Sequence, residues 1–210
     1  MSVIGIPATC TCGNILPELR LCPDHHRYFR AGRELASVTK VIRETWPIKP
    51  DFSSAPPGVL EHARERGVDA DVLFSAYVNG ALTKIPRGTW HDARDLFYKL
   101  KDWWDARPAC EKPGRAQVML ADDEIAGTCD LITADSQIID IKATYNLEAT
   151  YPIQVGAYAD LCGNKYAALA ILHVTARFAT PRLIELDRQQ SVEDWRLIRA
   201  MWRMMKRRTQ

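Results

Sequence analysis

Apolar residues along the chain fall into two periods, and the switch between them lays out the elements. Residues 59–80 (VLEHARERGVDADVLFSAYVNG) and 89–107 (TWHDARDLFYKLKDWWDAR) repeat apolar side chains at spacings of three and four, the period of a helix with one buried face. Ahead of them, SVTKVIRETW opens a helix at Ser37, and the Pro- and Ser-rich PIKPDFSSAPPG breaks the chain before the next element. The pattern then shortens. RAQVMLA, EIAGTCDLIT and QIIDIKAT are brief, rich in β-branched and apolar residues, and separated by DD and ADS, which reads as a meander of three strands. Residues 149–162 return to helical spacing, and YAALAILHVTA and PRLIELD read as two more strands. SVEDWRLIRAMWRMMKRR reads as a closing helix with Ser191 as its N-cap. The order is that of an α/β domain with no internal repeat.

Residues 1–36 do not share this patterning. They are rich in Cys, His, Pro and Gly and poor in periodic apolar residues, so they read as an appendage without a core of its own, set before a main domain over 37–210. Three of the six cysteines, Cys10, Cys12 and Cys22, crowd this segment, followed by His25 and His26. Cys10, Cys12, Cys22 and His25 suit tetrahedral zinc, with His26 as the competing fourth ligand. Cys110 and Cys129 read as small buried apolar residues, and His91 and His173 as ordinary helix-start and strand residues.

Composition adds mainly exclusions. Hydrophobic residues at 47% and charged residues at 26% are ordinary for a globular domain and argue against a disordered or membrane class. No apolar run is long enough to span a bilayer, and MSVIGIPATCTCG lacks the pattern of a signal peptide, so a cytoplasmic protein with reduced thiols is expected. The net charge of +2 does not by itself imply nucleic acid, although Arg203, Lys206, Arg207 and Arg208 bunch near the C-terminus as candidate phosphate contacts.

The chemistry concentrates in residues 127–161. On a strand, Asp140 and Lys142 share one face while Ile139 and Ile141 take the other. A turn centred on Asp135 places Asp130 opposite Asp140, where Cβ atoms stand ~5 Å apart. Two facing carboxylates repel, and a divalent cation such as magnesium removes that cost by taking oxygen ligands from both. Lys142 beside them can hold a water and stabilise charge growing on a phosphate. Gln154 and Tyr158, four apart, project from one helical face.

Gly127, Asp130, Asp140, Lys142, Gln154 and Tyr158, in that order and spacing, resemble the G-x-x-D, D/E-x-K and Q-x-x-x-Y pattern of the PD-(D/E)XK nuclease superfamily, specifically RecB-type exonucleases. SVTKVI also looks like the opening of the mitochondrial genome-maintenance exonuclease branch and its phage relatives. The resemblance covers about residues 37–162. It implies a restriction-endonuclease-like core, a mixed central sheet flanked by helices, acting as a metal-dependent DNA nuclease, an exonuclease on single strands or free ends in replication, recombination or phage DNA metabolism. It also implies that Asp130, Asp140 and the Ile141 carbonyl bind Mg²⁺ or Mn²⁺, that Lys142 serves the attacking water, and that Gln154 and Tyr158 sit by the site and contact DNA.

Two positions depart from the pattern. Where the family often has histidine four residues after an early helical glycine, Gly67 is followed by Asp71, itself a competent ligand for a hard cation. Where it often has a glutamate before G-x-x-D, the chain has Arg115 and Gln117, with Glu111 further upstream. The competing reading is therefore a zinc-dependent DNA-binding accessory that keeps the fold without the chemistry. Trp103 and Trp104 offer rings for base stacking, but as neighbours on a helix at least one belongs in the core.

Overall fold

A computed structural model describes residues 19–22, 27–48, 56–109, 112, 114–163 and 168–208. In chain order the elements are β1 (Arg20–Cys22), β2 (Arg27–Arg30), β3 (Arg33–Ser37), α1 (Val38–Thr45), α2 (Val59–Val78) and α3 (His91–Asp105). They continue with β4 (Arg115–Ala121), β5 (Ile125–Ile132), β6 (Gln137–Lys142), α4 (Thr150–Leu161), β7 (Ala168–His173), β8 (Arg182–Leu186) and α5 (Arg188–Arg208).

The expected helices form for the expected reasons. Ser37 caps α1 by accepting the Lys40 N–H at 3.0 Å, and Val38, Val41 and Ile42 turn inward at the spacing of one helical face. In α2 and α3 the inward positions are Ala70, Leu73 and Phe74, and Leu96, Phe97, Leu100 and Trp104. These pack on one face of the sheet, against Leu131, Ile139, Ala170 and Leu172. The other face is covered by α1, α4 and α5, where Val41, Ile153 and Trp195 bury Ile125, Cys129, Ile138 and Ile171. The result is a sheet between two helical layers, with burial on both faces explaining the near-continuous apolar run of β7, ALAILH.

The sheet is mixed: strand order is β1-β2-β3-β5-β6-β7-β8, with β4 also paired to β5. β3–β5 and β6–β7 are parallel and the remaining neighbours antiparallel. Three strands within residues 20–37 were not legible in the apolar pattern. They extend the sheet past β5 and bury Leu19, Tyr28 and Leu35 against Ala121 and Ala126. Of the proposed zinc ligands, Cys22 ends β1, whereas Cys10, Cys12, His25 and His26 lie outside the described residues, as does Cys110.

The cap of α5 differs from the expectation. The helix starts four residues early, with Asp187 Oδ1 accepting the Gln190 N–H at 2.9 Å, and Ser191 is buried inside it rather than capping it. The reason is the crossing with α4. A Cβ on Gly156 would lie 2.1 Å from the Ser191 carbonyl oxygen, so the two helices touch backbone to backbone there. Among the described residues no helix is long and apolar enough to cross a membrane.

Candidate active site

β5 is the strand around which the site is built. Along one edge it pairs with β4, while its other edge is shared, with β3 at Ile125 and Ala126 and with β6 at Leu131 and Ile132. Residues 127–130 lie between these two pairings, in a gap on that edge. Gly127 opens it: a Cβ there would meet the Tyr158 ring at 2.8 Å and Val38 at 3.1 Å, so only glycine lets α4 approach this closely.

At Asp130 the strand also changes phase. Cys129 packs under α1, α4 and α5, yet Leu131, two residues on, packs under α2 and α3, where a regular strand would keep both on one face. The β4 partner matches this irregularity. Ala116 pairs with Leu131 and Val118 with Cys129, and Gln117 between them adopts φ of 55°. A left-handed glutamine costs on the order of 1–3 kcal/mol and persists only where its surroundings over-determine it. Its surroundings here are acidic: Gln117 Nε2 donates to Asp71 Oδ2 at 2.8 Å and lies 3.4 Å from Asp130 Oδ1.

Register places the two central aspartates as the turn at Asp135 requires. Leu131 pairs with Ile139 and Ile132 with Ile138, so Asp130 and Asp140 are the next step along. There the ladder stops and a side chain takes over, Asp130 Oδ2 accepting the Ile141 N–H at 2.8 Å. The N–H and carbonyl of a strand residue point to the same edge, so the Ile141 carbonyl also faces the gap. On α2, Asp71 approaches from the other layer, with Ser75 Oγ 3.4 Å away.

Lys142 Nζ stands 2.7 Å from Asp140 Oδ2 and donates to Gln154 Oε1 at 3.0 Å, and Gln154 Nε2 donates to the Tyr158 hydroxyl at 2.7 Å. The ammonium also lies 4.6 Å from the centre of the Tyr151 ring. Asp71, Asp130, Asp140, Lys142, Gln154 and Tyr158 thus come together. Gln117 and Tyr151 complete the group. Gln117 comes opposite Asp130 because the turn centres between Asp123 and Glu124, with Ala121 against Ala126, whereas a turn centred on the DD pair would put Arg115 there; Tyr151 lies one helical turn before Gln154.

Burial governs the charges. It raises the Asp130 carboxyl well above its ordinary range, with Asp140 and Asp71 adding repulsion. It raises Asp140 too, partly offset by Lys142 and by a hydrogen bond with Asp130, and it pushes Asp71 up to about 6 against the opposing hydrogen bonds of Gln117 and Ser75. Burial alone would discharge Lys142, but Asp140 and Asp130 outweigh it and hold the ammonium charged.

One fully buried acid, Asp140, and two half-buried ones, Asp71 and Asp130, therefore face one cation. Asp140 Oδ2 has no hydrogen-bond partner beyond that ion pair. A hard divalent cation fits this donor set, since magnesium is commonly held by one or two carboxylates and keeps several waters. Among the described residues no three Asp, Glu, His or Cys side chains form a ready ligand cluster, and the Gln117 amide stands between Asp71 and Asp130. Glu111 lies outside the described residues.

A groove of about 500 Å³ opens beside the site, walled by Ile42 and Trp46 of the α1 end and by Tyr151 and Gln154 of α4. Other sequence candidates have structural places. Trp104 is core and Trp103 stacks on Arg107, His91 pairs with Asp95, and His173 hydrogen-bonds the Thr144 carbonyl.

No family model matches the chain, and no curated protein does. Among solved structures, one described as an exonuclease, from Eubacterium rectale, is similar over 80% of this chain and 81% of its own, at 13% identity and a TM-score of 0.47. An alkaline exonuclease from Laribacter hongkongensis is similar over 83% and 93%, at 13% identity and a TM-score of 0.36. Its complex with dAMP has the same coverage at a TM-score of 0.34. Similarities this distant carry no residue roles across.

Proposed function

We propose that the chain is a divalent-metal-dependent DNA nuclease, a phosphodiester hydrolase acting on single strands or free ends. The observation that supports it most is the pairing of half-buried Asp130 with fully buried Asp140, Lys142 against them, a concentration of like charge that a folded domain has no structural need for. In this reading Asp130, Asp140 and the Ile141 carbonyl hold Mg²⁺ or Mn²⁺, with Asp71 reachable across Gln117. The cation would supply Lewis-acid stabilisation of the phosphate and a water of lowered pKa.

The chain's own residues do the positioning. Lys142, kept as an ammonium by the carboxylates, orients the attacking water and neutralises charge on the phosphate oxygens rather than taking a proton. Tyr158 accepts from Gln154 and Gln154 from Lys142, which ties the ammonium to a residue that lines the groove. Hydrolysis adds the water oxygen to phosphorus and releases the neighbouring sugar oxygen, which takes a proton. Digestion of end-labelled single-stranded DNA with magnesium, with manganese and with chelator tests this. Metal-dependent cleavage is the expected result, and binding without cleavage under either metal overturns it.

That second outcome corresponds to a non-cleaving DNA-binding accessory, the reading favoured by the Gln117 amide that occupies the space between two acids. For the amino-terminal segment we keep structural zinc on Cys10, Cys12, Cys22 and His25, with His26 in competition. Elemental analysis at about one zinc per chain is expected, and its absence refutes the assignment.

A further inference from the structure

A second groove, of about 590 Å³, runs between β3, the first turn of α1 and the last turns of α5. Arg33, Lys40, Arg203, Lys206 and Arg207 line it together with only two acids, Glu34 and Glu124. Both acids are already engaged, Glu34 by Arg27 and Glu124 by Arg199 and Arg203, and Lys206 pairs with Glu44 at 3.3 Å, so the surplus charge rests chiefly on Arg33, Lys40 and Arg207. The groove therefore carries excess positive charge in a chain whose net charge is only +2.

Cations at the end of α5 have an ordinary explanation, since Lys206, Arg207 and Arg208 complement the negative end of the helix dipole. That explanation does not reach Arg33 or Lys40, which come from other elements. Lys40 has the opposite problem. It lies in the first turn of α1, a turn with no acidic residue, so its charge adds to the positive end of that helix. Glu34 and Glu44 lie within electrostatic reach of Lys40 and offset part of this repulsion, and an anion in the groove offsets more of it.

Lys40 faces this groove, while Thr39, Ile42, Arg43 and Trp46 of the same short helix line the groove that leads to Gln154. Helix α1 is thus a ridge between the two. We propose that the basic groove binds the phosphodiester backbone of a nucleic-acid strand whose continuation passes over α1 to the carboxylate site. The choice of polymer rests on the nuclease reading, and the charge of the groove does not.

The test is the salt dependence of oligonucleotide binding to the full chain in chelator, where no cleavage competes. Each lost phosphate contact to a single strand lowers the slope of log K against log salt by about 0.7, so Arg33→Ala, Lys40→Ala and Arg207→Ala combined are expected to lower it by about 2. Charge reversal by Lys40→Glu is expected to weaken binding further than Lys40→Ala. Removing equal charge outside the groove, at Arg20, Arg182 and Arg196, is expected to leave most of the slope. All variants are compared at equal melting temperature or far below it.

An unchanged slope in the groove variant, or an equal loss in the control, overturns the proposal. Wild type that binds strands with the full slope but never cleaves them under magnesium or manganese refutes the nuclease reading and leaves the groove standing. Cleaving wild type with no slope difference does the reverse.

Discussion

The Asp130 carboxylate accepts the Ile141 backbone N–H at 2.8 Å, so the strand carrying one acid is tied to the strand carrying the other by a side chain where the ladder ends. This separates two jobs of one residue. Asp130→Asn keeps an acceptor oxygen and removes the charge, so metal-free stability is expected to hold or rise while divalent-cation affinity falls at least about tenfold by calorimetry. Asp130→Ala also strips the amide of its partner and is expected to unfold about 1–3 kcal/mol more easily than Asp130→Asn in denaturant titration. Equal stability of the two variants would mean that the Ile141 amide does not depend on Asp130.

Gln117 offers a gain-of-function test. Its amide lies between Asp71 and Asp130, where a carboxylate would complete an oxygen cluster. Gln117→Glu is expected to lower metal-free stability, because a fourth acid joins three whose carboxyls desolvation already raises. In magnesium the order reverses, with tighter binding and a larger stabilisation by the metal than in wild type. Thermal shift with and without magnesium reads both. No extra magnesium shift in the variant would show that position 117 does not face the cation.

What the sequence could disclose follows from the range of its signals. Asp130 and Asp140 were placed together because a tight turn at Asp135 fixes register locally, and Leu131 against Ile139 keeps that register. Gln117 is not legible in the pattern, and Asp71 is legible only through its spacing from Gly67, for different reasons. Gln117 reaches the site through a left-handed backbone and a matched change of phase in β4 and β5, which regular alternation cannot express. Asp71 arrives from α2 in the opposite layer, a long-range packing fact. β1–β3 leave little trace in the apolar pattern because they are short and charged, with Tyr28 and Leu35 among their few buried side chains.

Glu124 gives the pH dependence of the scaffold. A hydrogen bond from Arg203 and the charge of Arg199 outweigh partial burial and hold its carboxyl below the ordinary range. A group depressed in the folded state contributes stability above its unfolded value, about 4.3, and loses it as pH falls through the folded value. Wild type is therefore expected to lose stability more steeply than Glu124→Gln on acidification below about pH 4.3, with the difference between them constant at neutral pH. Parallel acid limbs in urea unfolding would show that the cluster joining β5 to α5 contributes nothing measurable.

Lys142 decides between a catalytic site and a buried ion pair. As structure alone, its ammonium offsets Asp140 and Asp130, so Lys142→Ala leaves a buried carboxylate uncompensated and is expected to destabilise the metal-free protein by about 3–5 kcal/mol. Either reading predicts that loss. They part once magnesium is added. If the carboxylates hold a cation, deleting a neighbouring positive charge leaves its affinity unchanged or raised, and magnesium is expected to stabilise the variant more than wild type. Cleavage in saturating magnesium is nevertheless expected to fall about a hundredfold or more, because the water and the developing phosphate charge lose their ammonium. Restored stability with wild-type cleavage would make Lys142 a counter-ion only, and the mechanism would have to seek its cation elsewhere. Restored stability with lost cleavage assigns Lys142 to the reacting atoms.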